Sequence, residues 1–240
     1  MHLLEIIGFN IEACLKAQHA GASRIELCAN PAGGGTTPSY ALIKAAADLL
    51  KIPFFVMIRP REGDFLYSDA EFRLMMTDIQ QCKELGCEGI VTGILKKDGR
   101  VDTDRMAVIT KEAEMAVTFH RAFDRVRNRF EALEDLIKLG CRRVLTSGGK
   151  VTAHAGLQEI RSLVEQARNR IIVMPGSGIR ASNITEIASV SGAKEFHSSA
   201  MFKNRGEMIF SSASMDEDLS YADVDEKEIS LMLNKLREIV

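Results

Sequence analysis

The run Val117-Thr118-Phe119-His120-Arg121-Ala122-Phe123-Asp124 passes from an apolar, β-forming stretch into an imidazole, a guanidinium and a carboxylate within five residues. Histidine titrates near neutrality, so His120 beside Arg121 and Asp124 suits general acid/base work or metal ligation. The alternative is a hydrogen-bonded core histidine. The same plan recurs in Phe55-Val56-Met57-Ile58-Arg59-Pro60-Arg61, in Ile25-Glu26-Leu27-Cys28 and in Phe196-His197-Ser198-Ser199. Several strand ends thus deliver polar groups to one place, and the candidate catalytic set is Glu26, His120, Asp124 and His197.

A second group of residues is suited to an anion. Arg59, Arg61 and Arg121 offer guanidinium donors for a carboxylate or phosphate. Thr146-Ser147-Gly148-Gly149-Lys150 and Met174-Pro175-Gly176-Ser177-Gly178-Ile179-Arg180 are glycine-rich exits, and His197-Ser198-Ser199-Ala200 follows another strand. Thr146, Ser147, Gly176, Gly178 and Ser198 could therefore present hydroxyls and backbone N–H groups to an anion, although glycine exits are also ordinary turns. Glu26 in a core needs a cation, with Arg24, Arg59 or a metal as candidates. For both Glu5 and Glu26 a structural ion pair stands level with catalysis. No lysine lies late in a strand, since Lys194 opens one and Lys96, Lys150 and Lys203 lie in loops, which disfavours Schiff-base chemistry. No Gly-x-Ser-x-Gly elbow occurs. Acid/base chemistry on an anionic substrate, or metal-assisted chemistry using Glu and His, survives this elimination.

The elements that must position these groups alternate along the chain. Strand-like runs at 3–7, 24–28, 54–59, 89–92, 117–120, 143–147, 171–174 and 194–198 are each followed by a helical pattern, at 11–19, 38–50, 69–85, 102–114, 130–139, 153–168, 182–190 and 226–239. Eight such units predict an α/β fold, a single-domain (β/α)8 TIM barrel over 1–240, with active groups at the C-terminal strand ends. An open doubly wound sheet is the alternative, but Gly8 begins no Gly-x-Gly-x-x-Gly. Pro38, Asp69 and Asp102 suit helix starts, and Gly21, Gly86, Gly140 and Gly192 suit helix ends. Period-two alternation turns Ile25 and Leu27 toward the helices and Arg24, Glu26 and Cys28 into the barrel, and puts Thr118 and His120 on one face. Residues 199–225 read as a long irregular segment containing Met201, Phe202, Met208, Ile209 and Phe210, whose apolar content predicts a homodimer or higher homo-oligomer.

A net charge of -2 and 46% hydrophobic residues leave no basic footprint for nucleic acid and no uninterrupted span for a membrane. The N-terminal residues carry no leader pattern, which predicts a cytoplasmic protein. Five cysteines, at 14, 28, 82, 87 and 141, form no Cys-x-x-Cys pair and read as reduced thiols. The expected partner is a small anionic ligand at the barrel mouth.

Taken together, Arg24-Ile25-Glu26-Leu27-Cys28, Gly34-Gly35-Thr36-Thr37-Pro38-Ser39, Ile58-Arg59-Pro60-Arg61, Gly63-Asp64-Phe65, Tyr67-Ser68, Gly89-Ile90-Val91-Thr92-Gly93, Thr118 to Asp124, Val144-Leu145-Thr146-Ser147-Gly148 and Phe196-His197-Ser198-Ser199-Ala200 resemble the CutC family, named for copper homeostasis. The resemblance spans nearly the whole chain and implies a cytosolic, often oligomeric (β/α)8 barrel. It implies copper as the associated metal, and Cys28 as the copper(I) ligand. A tight copper(I) site generally wants two or more soft ligands, and Cys28 has no sequence-near partner. His120, His197 and the glutamates suit a divalent metal better.

Overall fold

The computed structural model describes residues 2–212 and 214–239. The eight alternating units form as β1 (Leu3–Gly8), α1 (Ile11–His19), β2 (Arg24–Leu27), α2 (Tyr40–Leu49), β3 (Phe54–Met57), α3 (Asp69–Glu84), β4 (Gly89–Thr92), α4 (Thr103–Ala113), β5 (Ala116–Phe119), α5 (Arg129–Lys138), β6 (Arg143–Thr146), α6 (Leu157–Ala167), β7 (Ile172–Pro175), α7 (Ile184–Ser191) and β8 (Glu195–Ser198), closed by α8 (Glu226–Arg237). The strands are parallel in the order β7-β6-β5-β4-β3-β2-β1-β8, which is a (β/α)8 barrel. β7 and β8 lie side by side without a backbone ladder.

Local chemistry explains the boundaries. Asn10 accepts from the Ala13 N–H to start α1, and Ser68 with Glu71 forms a full capping box on α3. Gly21, Gly86 and Gly140 take positive φ (94°, 72° and 77°), and the next residue's N–H returns to the helix, as in Ala22 to Ala17, Cys87 to Cys82 and Cys141 to Leu136. Helices α2, α4, α6 and α7 start later than their sequence pattern suggests, at Tyr40, Thr103, Leu157 and Ile184. Ser39, not Pro38, caps α2. The stretch from Ala153 to Gly156 is turn rather than helix, because Gly156 packs so closely on Ser147 that a Cβ would meet its carbonyl oxygen at 1.9 Å.

Alternation sorts the strand residues into two packed layers. Ile25, Leu27, Val56, Ile90, Val144 and Phe196 face the helices in the main core, whereas Cys28, Phe55, Met57 and Val91 form a smaller cluster inside the barrel with Ile7, Phe9 and Ala116. The barrel floor is charged. Glu195 accepts from Arg24 at 2.8 Å and Arg143 at 2.6 Å, and both guanidinium groups lie over the Phe55 ring, at 5.0 Å and 4.9 Å.

The segment 199–225 departs from the irregular loop expected of it. Its ends pair as an antiparallel hairpin, β9 (Met201–Asn204) with β10 (Tyr221–Val224). Asp223 anchors the hairpin, accepting from Lys16 at 2.6 Å and Asn204 at 2.9 Å. Beyond it an arm exposes Met208, Ile209 and Phe210.

Glu195 holds two buried guanidinium groups, so Glu195→Ala should cost about 3–5 kcal/mol of stability, the usual penalty for leaving buried charge unpaired. Urea unfolding monitored by far-ultraviolet circular dichroism reads this; a loss below about 1 kcal/mol would show the floor to be dispensable.

Candidate functional site

The centre of the site is set by register. Glu5 on β1 lies opposite Arg24 on β2 and His197 on β8, so one carboxylate reaches both neighbours. It accepts from Arg24 Nε at 2.5 Å through Oε2 and from His197 Nδ1 at 2.7 Å through Oε1. Burial opposes ionisation of Glu5, but the His197 hydrogen bond and the charges of Arg24 and His197 outweigh it and hold the pKa down at about 2. With Nδ1 committed to Glu5, the other ring nitrogen of His197 faces Glu26, Nε2 to Oε2 at 3.7 Å.

Glu26 has the opposite character. Among the described residues its buried Oε1 has no nitrogen or oxygen partner, and burial, aided by the nearby Glu5 charge, raises its pKa to about 7 against the pull of His197 and of the adjacent Cys28 thiol. Arg24 and Arg59, the cations expected for Glu26 from sequence, are engaged elsewhere, Arg24 by Glu5 and Glu195 and Arg59 by loop carbonyls. Burial opposes protonation of His197, yet the Glu26 charge and the Glu5 hydrogen bond raise its pKa above the ordinary value. Glu5, Glu26 and His197 offer ligand atoms all within 4.8 Å of one another, a set able to hold a metal ion.

Cys28 adjoins this set but is not equivalent to it. Its thiol is buried among Phe55, Met57 and Val91, and burial, with the neighbouring Glu26 carboxylate, pushes its pKa well above the ordinary value. Such a thiol is a poor source of thiolate. Cys14 packs on the other face of β1, its Sγ filling the place a Gly8 side chain would take.

His120 ends β5 over Gly93, where a Cβ would stand 2.7 Å from its Nδ1. The Ala122 N–H donates to Nδ1 at 3.2 Å, which fixes the tautomer with the proton on Nε2, and that atom is buried and unpartnered. Burial and the Arg59 charge lower the His120 pKa to about 3. His120 is therefore a neutral hydrogen-bond donor at physiological pH, in contrast to the acid/base role its sequence position suggests.

Asp124 is saturated by its own loop. Oδ1 accepts from Thr146 Oγ1 (2.6 Å), Ser147 N (3.0 Å) and Gly149 N (3.0 Å), and Oδ2 from Arg121 Nε (2.8 Å) and Ser147 Oγ (2.9 Å). Asp124, Arg121, Thr146 and Ser147 are thereby brought together as the frame of the β6 exit. Arg61 is taken up by carboxylates, paired with Glu71 at 2.6 Å and Asp64 at 3.0 Å. Gly176 donates to the Thr146 carbonyl, Gly178 accepts from Asn183, and Ser198 donates to the Ile179 carbonyl. The Ala181 N–H beyond them is taken by the Glu228 carboxylate of α8 at 2.7 Å.

The sequence reading passed over Glu195, and took Tyr67 as part of a family motif without a role at the site. Glu195 is two residues before His197 on one strand face, and that alternation could have found it. Tyr67 sits in a loop where no periodicity applies.

The His120 tautomer and its environment have a pH consequence. A histidine near 6.5 when unfolded and about 3 when folded contributes stability that is complete above pH 6.5 and is lost as pH falls toward 3. The unfolding free energy of the wild type from urea titration should fall through this window, by on the order of 1 kcal/mol per pH unit, and His120→Asn should flatten that limb. Parallel pH profiles for the two proteins would contradict the buried neutral imidazole.

A family model described as the CutC family matches residues 2–202. The CutC family protein of Parabacteroides distasonis is 50% identical over 200 residues, covering 82% of each chain, and that of Chromobacterium violaceum is 48% identical over 199, covering 82% of this chain and 81% of its own. A solved CutC of Streptococcus agalactiae, named as a candidate copper homeostasis protein, superposes with a TM-score of 0.80 at 36% identity over 83% of this chain and 99% of its own. Thiamine phosphate pyrophosphorylase of Pyrococcus furiosus, at 17% identity and a TM-score of 0.63, covers 99% of this chain and 96% of its own and shares the fold alone.

Proposed function

This chain belongs to the CutC family, and we propose that it serves copper homeostasis by holding the ion inside the barrel at Glu5, Glu26 and His197. The observation that carries the reading is the unpartnered, buried Oε1 of Glu26, next to an imidazole whose other nitrogen is already tied to Glu5. Carboxylate and imidazole donors suit a divalent ion, and the bond from Glu5 to Nδ1 of His197 leaves Nε2 facing Glu26. The cargo is accordingly copper(II) at the oxygen and nitrogen donors, with Cys28 a neighbour rather than the principal ligand. Binding displaces protons from Glu26 and His197, so it weakens as pH falls through their range.

Purified protein should take up copper(II) in competition with a chelator, and Glu26→Gln or His197→Ala should weaken uptake at least tenfold. Cys28→Ser should leave it within about twofold. Retention by both N/O variants, or loss in Cys28→Ser alone, would move the site to the thiol.

One observation favours a second reading. A carboxyl titrating at about 7 beside a histidine is suited to proton transfer on a small anionic metabolite, with Glu26 as the base. Turnover by the metal-free protein that bells around neutral pH and vanishes in Glu26→Gln is its signature.

The assembly we infer is a homo-oligomer formed through the arm between β9 and β10. Met208, Ile209 and Phe210 are exposed there, and the family model stops at residue 202. No described helix is long and apolar enough to cross a membrane, and the five thiols are all free, in keeping with a reducing compartment such as the cytoplasm. Met208→Ser, Ile209→Ser and Phe210→Ser together should lower the mass measured by light scattering to that of one chain. An unchanged mass would remove the arm from the interface.

A further inference from the structure

On the β3 and β5 side of the mouth three buried donors lack an acceptor. They are Arg59 Nε, the Tyr67 hydroxyl and His120 Nε2, on residues between 3% and 5% exposed. Phe65 links two of them: its ring lies tilted against His120 with centroids 4.9 Å apart, and the Arg59 guanidinium lies over the same ring at 5.0 Å. The Tyr67 hydroxyl oxygen lies close enough to the same guanidinium to accept from it, which leaves the hydroxyl proton without an acceptor.

Arg59 has a further deficit. Its terminal nitrogens donate to the carbonyls of Gly33, Gly35 and Gly63, at 2.8, 2.9 and 3.0 Å, and among the described residues no carboxylate pairs with it. Arg61, two positions on, has two carboxylates. Carbonyl dipoles position a guanidinium but leave its charge uncancelled, and a buried cation without a counter-ion is costly. Each unsatisfied buried donor adds to that cost. Among the described residues, no carboxylate stands against this charge or these donors.

We propose that Arg59, Tyr67 and His120 form an oxyanion site that takes the carboxylate group of a small ligand. The single charge of Arg59 balances one negative charge, while His120 contributes a proton but no charge, so a monoanionic carboxylate fits better than a phosphate dianion. Two carboxylate oxygens have lone pairs enough for all three donors. Phe65, partly exposed in the β3–α3 loop, screens the site from water and is the side chain a ligand displaces on the way in. The site lies apart from Glu5, Glu26 and His197 and stands without the copper reading. For the proton-transfer reading it supplies the anchor of the substrate.

Acetate is the probe, with inorganic phosphate and chloride at equal ionic strength as comparisons. Nitrogen-15 spectra of the imidazoles should show the His120 Nε2 signal shift saturably with acetate and much less with phosphate or chloride. Tyr67→Phe, which keeps the ring and removes only the hydroxyl, should weaken acetate binding about tenfold. His197→Ala should leave it unchanged, which separates this site from the metal cluster. A His120 signal indifferent to acetate, or equal acetate affinity in wild type and Tyr67→Phe, would overturn the proposal, and a stronger response to phosphate would overturn its carboxylate class. No turnover is required, so loss of the proton-transfer reading leaves this result standing.

Discussion

The site depends on one buried carboxylate with two partners. Glu5 is ionised inside the barrel because Arg24 and His197 reach it from the strands on either side. That charge orients the imidazole of His197, favours its protonated form, and raises the neighbouring Glu26. Remove it and His197 loses its fixed orientation, while Arg24 loses one of its two acidic partners. Breaking a buried network of this kind is strongly destabilising even where forming it brought little net stability, so the arrangement is better read as a device for holding groups in defined charge states.

The two halves of the mouth differ in electrostatic character as a result. Around Glu5, Glu26 and His197 two carboxylates face Arg24 and His197, and Glu26 Oε1 retains a free lone-pair site. Around Arg59, Tyr67 and His120 donors exceed acceptors. Cation and anion preferences therefore sit on neighbouring groups of strands, β8-β1-β2 and β3 to β5. The loop built on Asp124 separates these functions from mere scaffolding: its bonds to Thr146, Ser147, Gly149 and Arg121 account for most of the polar residues that cluster there in the sequence.

The barrel was legible because strand and helix periods differ and eight alternations leave few architectures. Inward-facing Arg24, Glu26 and Cys28 followed from Ile25 and Leu27 needing the helix layer. Pairing was not legible. Whether Glu26 meets Arg24, Arg59 or His197 depends on strand register and shear, which period-two alternation does not specify. The tautomer of His120 was hidden for a similar reason, since it is set by one backbone N–H in the following 3-10 turn. The hairpin at Met201–Asn204 and Tyr221–Val224 joins segments far apart in a stretch with no clear alternation, so nothing local announced it. Arg61 looked equivalent to Arg59 in the motif, and only the positions of Asp64 and Glu71 distinguish them.

The most direct test of this account is the titration of the Glu26 carboxyl carbon by carbon-13 spectroscopy in the metal-free protein, with Glu5→Gln as comparison. The expected result is a Glu26 transition near pH 7 that moves when the Glu5 charge is removed. A Glu26 transition at the ordinary value for a glutamate, indifferent to Glu5→Gln, would contradict the claim that Glu5 sets the charge states of the site.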